Sequence, residues 1–257
     1  MRLSLLVLLL AGCTEYDLIG EGGNSAFPME EGPNLVVDDD VALARVYAHT
    51  TSEIFEVDPR SGEAESIGAF RNASGGLDGF VDMAIDLDGY LYAGTYDRLY
   101  RVDPNDGRVA PVCSLDFQPF AMTFGPNGVL YAGSSDNRLV EVDTVSCETT
   151  ELVAGDWTTS GDIVGLPDGF IYWTVRGEGN DANDELVRVD PETGAASWVG
   201  VTGTSRLYGV GYSEGSLYGF SSAGEIVSID PATAETEILD VIDTISWWGA
   251  TTNPVRW

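Results

Sequence analysis

The sequence contains no lysine and one histidine, and its 12 basic residues are all arginines, against 42 acidic residues in a chain of 257. Nucleic acids and anionic lipid surfaces are bound through basic patches, which a chain of net charge −30 does not offer. We therefore predict no nucleic-acid partner. A lone histidine also excludes a site built from several histidines, and we expect His49 to be a partly buried residue at a strand end.

Long apolar runs and the common catalytic signatures are missing as well. The run from Leu3 to Leu10 falls well short of the roughly 20 apolar residues that a membrane-spanning helix needs. The one G-x-S-x-G match, GYSEG from Gly211 to Gly215, coincides with a repeated hairpin turn and not with the strand-to-helix turn that a serine nucleophile needs. There is no phosphate-binding glycine loop between a strand and a helix, and no WD or kelch signature. We accordingly assign no catalytic residue, no metal and no cofactor, and favour a binding protein over an enzyme.

The start of the chain carries a positive signal. Met1 and Arg2 supply one positive charge, the apolar run follows, and small residues close it, which is typical of a secretory signal peptide. The segment from Leu10 to Cys13, LAGC, resembles the lipobox of bacterial lipoproteins. That resemblance implies a signal peptide of residues 1–12, cleavage before Cys13 and a diacylglyceryl group on its thiol. The alternative is an ordinary signal whose cysteine stays free.

Lipidation of Cys13 would anchor this acidic chain to a membrane, because acyl chains contribute about 0.8 kcal/mol per buried CH₂. Removal of residues 1–12 takes away one arginine and no acidic residue, so the net charge moves from −30 to near −31. Residues 13–40 are poor in periodic apolar residues and predict a flexible tether. We expect a bacterial cell-envelope protein facing the periplasm or the exterior. Thr14 rather than aspartate follows Cys13, which favours the outer membrane over the inner one.

An internal repeat predicts the fold of residues 41–257. One motif occurs five times, and its aspartates lie 40 to 47 residues apart. That period, filled with short strands and turn residues, is typical of a β-propeller, whose blades are four-stranded sheets. The copies are Val57-Asp58-Pro59, Val102-Asp103-Pro104, Val142-Asp143-Thr144, Val189-Asp190-Pro191 and Ile229-Asp230-Pro231.

The first copy of the repeat is incomplete, since it begins at Arg45 with a second strand. The missing innermost strand returns at the C-terminus, in the segment from Ile245 to Thr251. We therefore predict an all-β, five-bladed propeller in which the C-terminal strand closes the first blade and removes exposed sheet edges. We expect a monomer.

The two faces of the predicted ring differ in the turns that they carry. One face carries short, repeated turns, and the other carries connections of varying length, where binding usually resides. The aspartates of the repeated motif are expected to cap turns. The turn of Asp86, Asp88 and Gly89 has the spacing of a calcium loop. Equivalent turns lack its first aspartate, which favours a plain hairpin turn.

The variable face gathers the candidate ligand-binding residues. Aromatic platforms beside carboxylates and an arginine suit a sugar or a similar polar ligand. The alternative is that both tryptophans pack between blades. We predict a small ligand, a glycan or a protein as the partner, and the residues that form the site are Asp82, Trp157, Asp162, Arg206 and Trp247.

A hydrolase is the competing interpretation. The segment DMAID, which begins at Asp82, resembles a strand of gluconolactonase-like propellers, and this implies a divalent metal held on the axis by scattered Glu, Asn and Asp side chains. That family has six blades, and its first glutamate has no clear counterpart here. Five-bladed glycosidases resemble this chain in blade number and use two carboxylates, for which Asp82 and Asp162 occupy equivalent places in their repeats.

The two cysteines beyond the predicted anchor are Cys113 and Cys147. An exported chain meets an oxidising compartment, in which an even pair can form a disulfide. Two separate buried thiols are the alternative. The sequence leaves both open.

Overall fold

The computed structural model describes residues 46–58, 60–134, 136–154, 157–178 and 182–252. The predicted signal peptide, the lipid attachment at Cys13 and the predicted tether lie outside the described residues, as does the predicted domain start at residue 41. Within the described residues there is no helix that is long and apolar enough to cross a membrane.

Five four-stranded antiparallel sheets form the blades of a propeller, as the sequence predicts. From the innermost strand outwards, blade 1 consists of β22 (Gly249–Thr252), β1 (Val46–His49), β2 (Glu53–Val57) and β3 (Ala64–Ala69). Blade 2 consists of β6 (Phe80–Ile85), β7 (Leu91–Thr95), β8 (Arg98–Val102) and β9 (Val109–Ser114). Blade 3 consists of β10 (Ala121–Phe124), β11 (Leu130–Gly133), β12 (Arg138–Val142) and β13 (Thr149–Ala154).

The remaining blades follow the same order. Blade 4 consists of β14 (Thr159–Gly165), β15 (Ile171–Val175), β16 (Glu185–Val189) and β17 (Ala196–Val201). Blade 5 consists of β18 (Leu207–Ser213), β19 (Ser216–Ser221), β20 (Glu225–Ile229) and β21 (Thr236–Val241). A small hairpin of β4 (Arg71–Asn72) and β5 (Gly75–Gly76) lies between blades 1 and 2 in the chain.

The C-terminal strand closes the ring, and this prediction is confirmed. β22 pairs antiparallel with β1, with Gly249 opposite His49. The strand is shorter than the predicted segment from Ile245 to Thr251. The N–H of Ile245 donates to the carbonyl of Ile242 in a turn, and Trp247 enters the core, so extended pairing begins only at Gly249.

Burial decreases from the axis outwards, because neighbouring blades cover both faces of the inner strands. All six residues of the inner strand β6 are buried, whereas the outer strand β21 has no buried residue. Large apolar side chains fill the space between blades, as where Phe70 stacks on Phe80 at 3.9 Å between ring centroids. The ring is therefore held by sheet-to-sheet packing, with the axis as its most enclosed part.

The repeated motif builds the same turn five times. In every copy the carbonyl of the motif aspartate accepts the N–H of the residue four positions later, at 2.8 or 2.9 Å. In every copy the aspartate Oδ1 also accepts the N–H two positions later, at 2.7 to 3.0 Å. The prediction that these aspartates cap turns is confirmed. The fifth turn residue has a positive φ in all five copies, and these residues are Gly62, Gly107, Cys147, Gly194 and Ala234.

These turns also join neighbouring blades. A side chain at Gly107 would meet the carbonyl of Ala69 in the outer strand of blade 1. A side chain at Gly194 would likewise meet the carbonyl of Leu152 in blade 3. Glycine is needed there both for its positive φ and for this close approach.

The junction between blades 2 and 3 is covalent. Cys147 occupies the fifth position of the blade 3 turn, and it forms a disulfide with Cys113 of β9, with 5.8 Å between the Cα atoms. Of the two alternatives that the sequence leaves open, the structure shows the disulfide. The bond lies where the other blades make their turn-to-strand contact.

Candidate functional site

One position of the repeat lies on the propeller axis in every blade. Two blades place a carboxylate there, and three place a residue with a minimal side chain or none. In the order of blades 1 to 5 these residues are Gly249, Asp82, Ala121, Asp162 and Gly209. The small residues leave room on the axis for Asp82 and Asp162, which we call the axial pair.

The axial pair accepts one backbone N–H from each of the five blades. The donors are the residues that follow the axial position: Met83 and Met122 donate to Asp82, and Ile163, Val210 and Ala250 donate to Asp162. The Met83, Ile163 and Ala250 bonds measure 2.7, 2.6 and 3.2 Å. Two carboxylates thus satisfy five inner strands that would otherwise bury unpaired donors.

The two carboxylates also hydrogen-bond to each other, and both are fully buried. Burial raises the pKa of Asp82 well above its ordinary value, and the charge of Asp162 raises it further. Burial also raises the pKa of Asp162, although the hydrogen bond from Asp82 and three N–H groups oppose this. Asp162 has more donors, so it keeps the negative charge while Asp82 holds the proton.

His49 borders the axial pair and is fully buried, which corrects the expectation of partial burial. Its position opposite Gly249 draws it into the axis, where neighbouring blades cover it. Its Nδ1 lies 2.6 Å from the carbonyl of Thr50, and its Nε2 lies 4.0 Å from Asp82 Oδ1. Burial lowers the pKa of His49 to about 4, and the Thr50 hydrogen bond opposes that shift. His49 is therefore neutral at pH 7.

The axial pair does not have the geometry of a glycosidase. Such enzymes hold the sugar between two carboxyl groups about 5 to 9.5 Å apart, whereas Asp82 and Asp162 hydrogen-bond to each other and are closed off from solvent. Among the described residues, no three His, Cys, Asp or Glu side chains form a group that could hold a metal ion. In the turn of Asp86, the carboxylate accepts the N–H groups of Asp88 and Tyr90 as an ordinary hairpin turn does.

A cavity of about 260 Å³ lies directly above the axial pair, on the face with the irregular connections. Its floor is formed by the residue that precedes the axial position in each blade. In the order of blades 1 to 5 these are Trp248, Val81, Phe120, Gly161 and Tyr208. The floor is rich in aromatic rings, and those of Trp248 and Tyr208 lie 6.1 Å apart at 55°.

Polar groups form the rest of the cavity wall, namely Gln118, Thr159, Ser160 and Arg176. Arg176 is exposed and makes no ion pair within the part of the chain that the structure describes. Nearby Asp184 is buried and accepts the N–H of Leu207 at 2.6 Å. Burial raises the pKa of Asp184, while its bond from Ser160 and the charge of Arg176 oppose that rise.

The structure brings together only part of the residue set predicted from the sequence. Asp82 and Asp162 meet beneath the cavity floor rather than in its wall. Trp247 is fully buried between Phe55 and Phe220, at 5.3 and 5.6 Å between centroids, which matches the alternative that it packs between blades.

The other two predicted residues also lie off the cavity wall. Trp157 is half-buried against the core between blades 3 and 4. Arg206 is exposed, with a φ of 56°, two residues before Tyr208. The aromatic floor residues were not predicted. The signal that could have found them is their place in the repeat, one residue before the axial position.

Together the fold and this site define a five-bladed β-propeller with a cavity on its axis. No protein-family model matches the chain, and no curated protein matches it. Among solved structures, the chain is similar to one from the crystal structure of a nidogen/laminin complex. The identity is 12%, the TM-score is 0.56, and the match covers 84% of this chain and 100% of that one.

A second similar structure is hydrazine synthase from Kuenenia stuttgartiensis, with 22% identity and a TM-score of 0.45. That match covers 64% of this chain and 49% of the other, so the present chain spans about half of it. At these identities the likeness extends to the fold alone, and the fold argument rests on the first structure.

Proposed function

We propose that this protein is an exported, lipid-anchored binding module that holds a small sugar or a similar polar ligand in the axial cavity, without catalysis. One observation carries the proposal. All five blades contribute a residue to the floor of the same cavity, and that cavity opens on the face with the irregular connections. A site built at the centre of a rigid ring is well suited to binding, since its walls are already ordered before the ligand arrives.

The chemistry of the wall favours a ring-shaped ligand with hydroxyl groups. The faces of Trp248, Tyr208 and Phe120 can stack on the apolar face of a sugar ring. Gln118, Thr159 and Ser160 offer donors and acceptors to its hydroxyls. The volume of about 260 Å³ is at the small end for ligand sites, which favours a single sugar unit over a long chain.

A glycan array followed by calorimetry of the best ligand tests the proposal. We expect Trp248→Ala to weaken binding at least tenfold, because it removes a stacking face from the floor. Trp198→Ala is the matched control, since Trp198 is 55% exposed on the outer strand β17 and far along the blade from the axis. If Trp248→Ala leaves the affinity of the ligand unchanged, the ligand does not bind in the axial cavity. The binding site would then lie elsewhere, for example on a surface that contacts a protein partner.

The lipid anchor rests on the resemblance of residues 10–13 to a lipobox. Replacement of Cys13 by serine is expected to stop lipid labelling and to release the protein from the membrane fraction. Processing and membrane attachment that persist in Cys13→Ser would refute the anchor. Separation of the two membranes of a double-membraned host would then test the proposed outer-membrane site.

A hydrolase acting at the axis is the competing function, and the closed carboxyl pair beneath the cavity does not favour it. A panel of glycoside and lactone substrates, assayed with and without divalent metal, separates the two functions. Clear turnover of a substrate would establish the hydrolase and overturn the binding module. Binding without turnover supports the module.

A further inference from the structure

We propose that the axial pair is a proton-operated lock on the ring, in which one proton shared by Asp82 and Asp162 holds the blades together and its loss releases them. This role is separate from ligand binding and does not depend on it. The proposal rests on the set of blades to which each carboxylate is hydrogen-bonded.

The two carboxylates divide the ring into two groups of blades. Asp82 accepts N–H groups from its own blade 2 and, through Met122, from blade 3. Asp162 accepts from its own blade 4 and, through Val210 and Ala250, from blades 5 and 1. On the axis, the bond between the two carboxyl groups joins these two groups of blades.

That bond needs a proton, because two carboxylate ions have only acceptors to offer each other. With one proton present, Asp82 donates to Asp162 and all five N–H bonds remain. Without it, two negative charges face each other in a buried site. The loss of the hydrogen bond and the repulsion between the two charges both weaken the contact between the two groups of blades.

The surrounding elements supply no positive charge to relieve that repulsion. The innermost strands β6, β10, β14, β18 and β22, together with β1, contain no arginine. His49 is the one basic group facing the pair from β1, and it is neutral at pH 7. The other titratable groups on these strands are the phenols of Tyr47, Tyr208 and Tyr212. None of these carries a positive charge at any pH.

The direction of the pH effect follows from proton binding. The folded pair holds a proton that unfolded aspartates release above about pH 4. The folding equilibrium constant therefore falls as pH rises, by up to about tenfold per pH unit for one proton, until the pKa of the pair is passed. His49 acts in the opposite direction, but only up to about one pH unit above its ordinary pKa of 6.5, where the unfolded histidine has released its proton, because burial lowers its pKa to about 4 in the folded protein. Measurements above about pH 7.5 thus isolate the pair from His49.

Urea unfolding of the full-length protein from about pH 7.5 to 9 tests the lock. Asp82→Asn keeps a donor facing Asp162 but removes the titrating proton, so we expect its equilibrium constant to become nearly independent of pH. Asp184→Asn is the control, because Asp184 is a buried carboxyl outside the pair, and it should keep the wild-type slope. An Asp82→Asn slope equal to that of the wild type would overturn the proposal.

Infrared spectroscopy of the folded wild type gives a second test that does not require a folded variant. We expect the carbonyl-stretch band of a protonated carboxyl group at pH 7, retained in Asp184→Asn and lost in Asp82→Asn. If Asp82→Asn does not fold, the wild-type band decides alone. Its absence at pH 7 would show that the pair carries no proton and would overturn the lock.

Discussion

The axis and the rim of this propeller both join neighbouring blades, but by opposite means. At the rim one turn is repeated five times, partly exposed to solvent, and reinforced in one blade by the Cys113–Cys147 disulfide. At the axis the equivalent position changes from blade to blade, and only Asp82 and Asp162 carry a functional group there. The rim uses the same turn in every blade, whereas the axis depends on Asp82 and Asp162, the two residues that depart from the small residues of the other blades. Both the candidate cavity and the proposed lock lie at the axis.

Removal of Asp162 is expected to have the largest effect, and it would test whether the axis depends on two residues. In Asp162→Ala, the N–H groups of Ile163, Val210 and Ala250 lose their acceptor in a fully buried site. We expect a loss of about 3 to 6 kcal/mol in the free energy of unfolding, measured in urea. Asp190→Ala, in an exposed turn at the rim, should lose much less because water replaces the acceptor. Equal losses would remove the distinction between the regions.

Loss of the disulfide tests the one rim junction that differs from the others. The bond closes a span of 34 residues, and its removal in Cys113→Ser with Cys147→Ser is expected to lower the free energy of unfolding by about 2 to 4 kcal/mol. Chemical denaturation of the reduced wild type is the matched control and should give a similar value. A variant as stable as the oxidised wild type would show that the turn contact alone holds blades 2 and 3.

A methyl group at Gly249 tests how tightly the axis is packed. The added Cβ would contact Asp82 Oδ1 and His49 Nε2, and we expect overpacking in Gly249→Ala to lower the free energy of unfolding by about 1 to 3 kcal/mol. Gly76→Ala is the control, since its Cβ would meet only the carbonyl of Phe70, at 3.9 Å. A smaller loss at Gly249 than at Gly76 would contradict the close packing of the axis.

The smallest expected effect concerns which arginine belongs to the site. Arg176 lines the cavity wall, whereas Arg206, the arginine predicted from the sequence, does not. With a ligand from the glycan array, we expect Arg176→Ala to weaken binding by about tenfold through loss of a charged hydrogen bond. Arg206→Ala should bind as the wild type does. The reverse order would favour the residue set predicted from the sequence.

The sequence predicts the features that repeat. Five copies of one motif are enough to predict the propeller, the number of blades and the capped turns, and the missing strand of the first copy predicts how the ring closes. The closing strand begins later than predicted because Trp247 is drawn into the core between blades 1 and 5. That burial depends on Phe55 and Phe220, which are far away in the sequence.

The candidate site was predicted only in part for the same reason. Asp82 and Asp162 stand out as acidic residues at equivalent places, but their contact depends on ring closure. Three of the five floor residues, Trp248, Phe120 and Tyr208, are aromatic, whereas blades 2 and 4 place Val81 and Gly161 at the same position of the repeat. No residue type repeats there. The burial of His49 likewise follows from which strand edge faces the axis. Features that arise between blades are not periodic, so a repeat pattern does not contain them.

Amide hydrogen exchange compares the two regions most directly. The account predicts that the five axial N–H groups, those of Met83, Met122, Ile163, Val210 and Ala250, exchange together and only through unfolding of the whole ring. The five turn N–H groups of the rim should exchange earlier and independently of one another. In Asp162→Ala, which removes the acceptor of three of these N–H groups, the axial group should lose its protection as a unit. Axial amides that exchange at unrelated rates, or faster than those of the rim, would contradict the claim that one pair of carboxyl groups holds the ring.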